Sequence, residues 1–229
     1  MTSFILRVID IIASLMAIIV LLPLMLLFAL AIKIDSPGPV IFRQTRLARF
    51  RREFRMVKFR TMVSGADKKG SLVTAFGDSR ITPVGNVLRR TKLDELPELW
   101  NVFIGDMSLV GPRPEVPKYV AYFKPEWEEV FSVRPGITDL ATLEFRDEER
   151  ILANTVDTEK SYIDVILPIK MKLAVKFVRN KSVFLYFKIL ILTVWSITFG
   201  RFFARPGQQH VEEAEAALKR ESMKNDTTI

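Results

Sequence analysis

Hydrophobic and polar positions are segregated along this chain. Residues 11–32, IIASLMAIIVLLPLMLLFALAI, carry no charge. As a helix they would extend about 33 Å, enough to cross a hydrocarbon core. Pro23 sits near the middle, where it removes one backbone hydrogen bond and crowds the carbonyl four residues back, so a kink or break is expected. Two topologies stay open. A spanning helix places Arg7 outside and the following basic block inside. A re-entrant hairpin bent at Pro23 returns Arg7 and Lys33 to one interface and needs partners for the freed backbone groups. A signal peptide is not expected, since the run is too long and DSPGPV after Lys33 offers no small-residue cleavage site.

Past the turn SPGP (36–39), VIFRQTRL (40–47) and EFRMVKFRTM (53–62) alternate apolar and polar residues and predict a two-stranded hairpin. Residues 63–80 read as an exposed loop, and 83–100 as helical with an interruption at Pro97. GDMSLVGPRP (105–114) reads as a stiff loop, 115–131 as helical, 133–147 as a loop followed by a short strand or helix, and 148–180 as helical. SVFLYFKILILTVWSITF (182–199) is apolar with Lys188 inside it, which favours an amphipathic helix at a membrane interface over a second span. The polar residues 205–229 are expected to fray, and no internal repeat is present. The division is a membrane helix over 1–33, a cytoplasmic or interfacial domain over 34–203 and a polar tail over 204–229.

Charge sharpens this picture. Residues 33–60 hold nine Lys/Arg against Asp35 and Glu53, nearly the whole formal charge of +8. A basic block beside an apolar segment favours an anionic membrane surface. No finger, RNP motif or basic heptad array supports nucleic-acid binding, so no nucleic acid is expected as partner. The chain has no cysteine and one histidine, His210, in the polar tail. Disulfides, thiolate catalysis and cysteine-ligated zinc are thereby excluded, and a serine–histidine triad is not expected. Acid–base, nucleophilic or metal chemistry falls to carboxylates.

The most informative stretch is LRRTKLDELPELWN (88–101). Asp94 and Glu95 are adjacent carboxylates just ahead of Pro97, a residue suited to a helix's first turn. Arg89 and Arg90 lie upstream at helical spacing. Paired carboxylates with arginines suit phosphoryl transfer: one can attack phosphorus, a divalent cation offsets the repulsion, and guanidinium groups hold phosphate oxygens. The competing interpretation is an ordinary acidic helix start. Arg113, held between prolines in GPRP (111–114), presents a planar fork to phosphate. Asp35 and Asp106 adjoin turns and read as structural caps. No GxxxxGKS/T, GxGxxG or Asp-x-Asp motif occurs, against P-loop, dinucleotide and common glycosyltransferase chemistry.

In this order IDSPGPVIFRQTR (34–46), FRMVKFRTM (54–62), RITPVGNVLRRTKLDELPELWNVFIGDMSLVGPRPE (80–115) and RPGIT (134–138) closely resemble the bacterial sugar transferase family, the monotopic polyprenyl-phosphate phosphoglycosyl transferases. The resemblance covers roughly residues 4–200. It implies an α/β membrane-associated fold: a re-entrant N-terminal helix, a small cytoplasmic α/β catalytic domain and amphipathic interfacial helices at the bacterial inner membrane. It also implies magnesium, held by Asp94 and Glu95. Asp94 would attack the β-phosphorus of a UDP-sugar, expel UMP and carry a phospho-sugar to polyprenyl phosphate, with Arg113 holding a phosphate. A non-catalytic membrane scaffold of the same fold is the alternative. Two positions depart from the family pattern: Leu22 stands before Pro23 where serine is frequent, and Asp139 follows RPGIT where many members have glycine. The sugar and the oligomeric state, a homo-oligomer included, are left open.

Overall fold

The computed structural model describes residues 2–66, 73–74, 76–145, 148–155, 157–199 and 209–226. Helix α1 (Thr2–Asp35) keeps helical structure on both sides of Pro23 and is long and apolar enough to cross a membrane. Both of its ends are seated on the rest of the molecule. Near the N-terminus, Arg7 donates to the carbonyls of Val102 (2.6 Å) and Phe103 (2.8 Å). Asp10 accepts from Ser108 Oγ and Leu109 N, each at 2.9 Å. Near the C-terminus, Ile32 is buried with Phe59 and Leu88. Arg60, itself buried, donates to the carbonyls of Ser36 (2.8 Å), Pro37 and Ile32 (3.4 Å). The last carbonyls of a helix have no partner within it, and each charge-assisted hydrogen bond of this kind contributes about 1.5–3 kcal/mol. Between these anchors Ile12, Met16, Ile19 and Val20 are exposed.

The hairpin forms as expected: β1 (Ile41–Leu47) pairs antiparallel with β2 (Glu53–Phe59). Directly opposed residues share a face, which groups Phe42 with Lys58, Gln44 with Met56 and Arg46 with Phe54. Helix α2 (Pro83–Thr91) is capped by Thr82, whose hydroxyl accepts from Gly85 N (3.0 Å). It stops at Lys92, which takes the left-handed conformation (φ 59°). After a 3₁₀ turn, Leu93–Glu95, comes α3 (Glu98–Ile104). Asn101 ties α3 to β2, accepting from Val57 N (3.0 Å) and donating to Arg55 O (2.9 Å).

The 105–114 segment departs from the loop expectation, because β3 (Ser108–Val110) pairs in parallel with β4 (Gly136–Thr138). Three-residue strands are too short to show alternation. The pairing is tight: a Cβ on Gly136 would lie 2.1 Å from Gly111 N. Only glycine allows the two backbones to approach in this way, and that approach fixes the Pro112–Arg113–Pro114 run beside β4. The 115–131 stretch is helical only in α4 (Pro117–Val120) and a 3₁₀ run, Pro125–Ser132. Short α5 (Leu140–Glu144), α6 (Glu148–Ile151) and α7 (Thr158–Ser161) lead through a π-turn into α8 (Leu167–Arg179). The main core joins Trp127, Phe131, Phe145, Ile166, Leu167 and Leu173.

Helix α9 (Val183–Phe199) buries Tyr186 and Ile189 against Leu6 and Phe177, and exposes Phe184, Ile191, Val194 and Trp195 together with Lys188. The C-terminal expectation of fraying is corrected. Residues Gln209–Asp226 form α10, which docks Ala214 and Leu218 and pairs His210 Nδ1 with Glu144 Oε2 at 2.6 Å. Val211, Ala214 and Leu218 recur at helical spacing within a polar composition, so the apolar stripe is narrow. Residues 67–72 of the 63–80 loop and 200–208 before α10 lie outside the described residues.

Candidate active site

The 3₁₀ turn after α2 directs Asp94 inward to 8% exposure, into a cavity of about 940 Å³. Oδ1 of Asp94 is buried and has no hydrogen-bond partner among the described residues. Burial pushes the Asp94 carboxyl above its usual pKa, against the pull of Lys58 and with added repulsion from Glu95. Its neighbour is set the other way. Lys58 Nζ donates to Glu95 Oε1 (2.8 Å), and Arg113 grips Glu95 through Nη2 to Oε1 and Nη1 to Oε2 (3.4 Å). Burial works against the Glu95 charge, but Arg113, Lys58 and Lys92 outweigh it and hold this carboxyl well below the usual range. Two adjacent carboxylates thus have opposite protonation tendencies, a pattern that marks functional sites.

The cavity brings together Asp94, Glu95, Arg113 and Arg89. Arg89 also donates to Glu149 through Nε (3.1 Å) and Nη2. Arg90 is not part of the lining and lies over the Phe76 ring at 5.9 Å. The left-handed turn at Lys92 ends α2 before Asp94, so helical spacing from the arginines does not carry through. Asp106 pairs with Arg52 instead of capping, and Asp35 ends α1 with Oδ2 buried and without a partner among the described residues. Asp139 caps α5 by accepting from Thr142 N (2.6 Å), and it also accepts from Arg113 N (3.3 Å).

Two site residues were not foreseen. Lys58 extends the inner row Phe54–Met56 of β2, so a cation at an alternating apolar position was the available signal. Glu98 shares a helix face with Asn101 and Val102 and is fully buried; Lys58 Nζ lies 3.2 Å from its Oε1. Burial pushes Glu98 up to about 7 from 4.5, against Lys58 and with repulsion from Glu95. The folded protein therefore holds a proton here that the unfolded chain releases above about pH 4.5. This stabilising contribution is present below pH 4.5 and is lost as pH rises through 7. Glu98→Gln should gain on the parent by on the order of 1–3 kcal/mol between pH 5 and pH 8 in thermal unfolding. A pH-independent difference between the two would contradict this.

Ala17 and Leu21 of α1 and Leu190 and Val194 of α9 line the same cavity, so the two most apolar helices contribute side chains to the cavity that holds the carboxylates and cations.

Comparison with known proteins agrees with the motif pattern. The family model "Bacterial sugar transferase" matches residues 1–200. The UDP-N-acetylgalactosamine-undecaprenyl-phosphate N-acetylgalactosaminephosphotransferase of Aeromonas hydrophila is 45% identical over 142 residues, which is 61% of this chain and 34% of the relative. The UDP-glucose:undecaprenyl-phosphate glucose-1-phosphate transferase of Caulobacter vibrioides is 45% identical over 138 residues, 59% of this chain and 52% of the relative. The Escherichia coli protein of the same description is 36% identical over 190 residues, 81% of this chain and 38% of the relative. The matched parts are thus about a third to a half of these relatives' lengths. With the family's model matching residues 1–200, a range that takes in α1, the hairpin, the Asp94–Glu95 turn and α9, this chain belongs to the bacterial sugar transferase family.

Proposed function

We propose that this chain transfers a sugar 1-phosphate from a UDP-sugar to undecaprenyl phosphate at the cytoplasmic face of the bacterial inner membrane. The observation that carries this is Asp94: a buried carboxylate with one oxygen unpaired among the described residues, lining a large cavity together with cations and with apolar side chains of α1 and α9. A buried unpaired carboxylate oxygen costs stability; Asp35 and Glu98 carry such oxygens too, and Asp94 differs from them in lining the cavity together with Lys58, Arg89 and Arg113. Asp94 attacks the β-phosphorus, the bond from that phosphorus to the bridging oxygen breaks, and UMP leaves. A phosphate oxygen of the lipid then attacks the same phosphorus, releasing the Asp94 oxygen and forming the polyprenyl diphosphate sugar. Glu95, held ionised, anchors Arg113, which also donates to the Ile137 carbonyl (3.3 Å), lines the cavity and would hold phosphate oxygens.

Magnesium fits this site as a partner shared with substrate. Among the described residues no group of three or more His, Cys, Asp or Glu could hold a metal. Mg²⁺ is commonly bound through one or two carboxylates plus substrate phosphates. Asp94, whose Oδ1 has no partner among the described residues, would hold it with the substrate phosphates, and Glu95 would join by giving up a contact to Lys58 or Arg113; the ion would offset the negative charge around the phosphates.

The seating of α1 favours the re-entrant topology. Arg7 and Asp10 at one end and Ile32 and Ser36 at the other hold the same domain, which a straight crossing of a roughly 30 Å hydrocarbon core would separate. Helix α9, with its exposed apolar side chains and Lys188, lies beside it at the interface.

The purified chain in detergent, given a panel of UDP-sugars with undecaprenyl phosphate, should release UMP with at least one donor and stop on chelation of Mg²⁺. No UMP from any donor would overturn the proposal.

A further inference from the structure

The cavity has a second polar pole that the transfer chemistry does not use. Glu115 follows two residues after Arg113, and Tyr162 Oη donates to its Oε1 at 2.9 Å. Lys170 Nζ donates to Glu148 Oε2 at 2.9 Å and lies 3.5 Å from Tyr162 Oη. Arg46 Nη1 stands 4.0 Å from Glu115 Oε2, and Arg46 Nε is buried without a partner among the described residues. All five side chains line the cavity that holds Asp94. Glu115, Tyr162 and Lys170 are only 6%, 4% and 8% exposed.

A purely structural role explains this poorly. Well-packed apolar residues would hold such a position as firmly as a buried ionic network does, and the main core already surrounds Tyr162 with them. The network's charge also differs from that of the Asp94 pole. The formal charges of Arg46, Lys170, Glu115 and Glu148 cancel, whereas Lys58, Lys92, Arg89 and Arg113 gather around Asp94 and Glu95. A balanced cluster gives no reason to bind phosphate. It offers carboxylate acceptors, the phenol oxygen as a further acceptor and an ammonium donor, which suits an uncharged ring bearing many hydroxyls. A pyranose presents several hydroxyl donors, while uracil presents a single N–H to two carboxylates. Residues two apart in extended chain are spaced by about 7 Å, so Glu115 is placed to meet a ring attached to a phosphate held by Arg113.

We propose that the pole formed by Glu115, Tyr162, Lys170 and Glu148 recognises the hexose of the UDP-sugar and sets which sugar this chain accepts. The assignment rests on the transferase reading for its substrate class, but its test reads binding. The full chain in detergent with Mg²⁺ is titrated with UDP, UDP-glucose, UDP-galactose, UDP-N-acetylglucosamine and UDP-N-acetylgalactosamine. At least one UDP-sugar should bind more tightly than UDP. Glu115→Gln and Tyr162→Phe should each shrink that margin about tenfold, as loss of one buried hydrogen-bond partner does, with the Kd for UDP changed less than about twofold. Tyr162→Phe keeps the ring's packing, so it remains informative if Glu115→Gln folds poorly. Equal weakening of UDP and UDP-sugar would assign the pole to the nucleotide and overturn the proposal, as would unchanged affinities in both variants or no UDP-sugar exceeding UDP. Intact preferential binding without UMP release would instead overturn the transferase reading and leave the sugar pole standing.

Discussion

Asp94→Asn should abolish transfer while leaving the protein as stable as its parent or more so. The expected loss is about 10³-fold or greater, since a residue acting as nucleophile has no substitute within its unit. Stability should move the other way for a physical reason. Asp94 is buried, its Oδ1 has no partner among the described residues, and burial raises its pKa. A raised acid pKa means that ionisation is disfavoured on folding, so the stabilising proton is lost as pH rises and the charged group costs stability at neutral pH. Asparagine removes that cost at nearly constant volume. UMP release paired with thermal unfolding decides the matter. Lost activity with a lowered melting temperature would point to misfolding, and retained turnover would remove Asp94 from the chemistry.

Arg113→Met should damage both properties. Among the described residues Arg113 and Lys58 are the cations in contact with Glu95, and Lys58 is already shared with Glu98. Without the guanidinium, two buried carboxylates share one ammonium. Breaking a fully buried pair costs about 3–5 kcal/mol; with Arg113 24% and Glu95 14% exposed, about 2–3 kcal/mol is expected. Transfer should fall about 10²–10³-fold, the scale for losing a positioned charge at a phosphoryl centre. Arg113→Lys should recover part of the stability but little of the activity, because ammonium keeps charge without the planar fork. The sign of the pH response follows from Glu95. Its pKa is depressed in the parent, chiefly by Arg113 and Lys58 against burial, so its ionised form persists into acid. A group whose pKa is depressed on folding gives stability that is present above its unfolded value of 4.5 and is lost as pH falls, so the stability difference between parent and variant should shrink as pH drops below about 4.5. A pH-independent difference would separate Arg113 from Glu95.

The legible parts of this molecule were those with long or strongly periodic patterns. Helix α1 was visible in an uncharged run, the hairpin in alternation, and the Asp94–Glu95 pair in an acidic step beside a proline. Strands β3 and β4 have three residues each, and their pairing depends on Gly111 and Gly136 lying almost in contact across 25 residues of chain. Local pattern does not encode that approach. Lys58 and Glu98 were hidden for a related reason: each is charged at a position whose neighbours on the same face are core residues, and a charged position reads first as exposed. Their meaning comes from Glu95, which touches Lys58 only after the fold brings β2 to the 3₁₀ turn. Helix α10 was missed because an apolar stripe of three residues is outweighed by polar composition.

The most direct test of the account is the chemical fate of Asp94. Full-length enzyme is incubated with its UDP-sugar donor in the absence of lipid, quenched in acid and fragmented by mass spectrometry across the peptide that also holds Glu95, Glu98 and Asp106. The account predicts a phospho-sugar mass on Asp94, released on addition of undecaprenyl phosphate. A phospho-sugar on another residue, or UMP formed by unmodified enzyme, would contradict it.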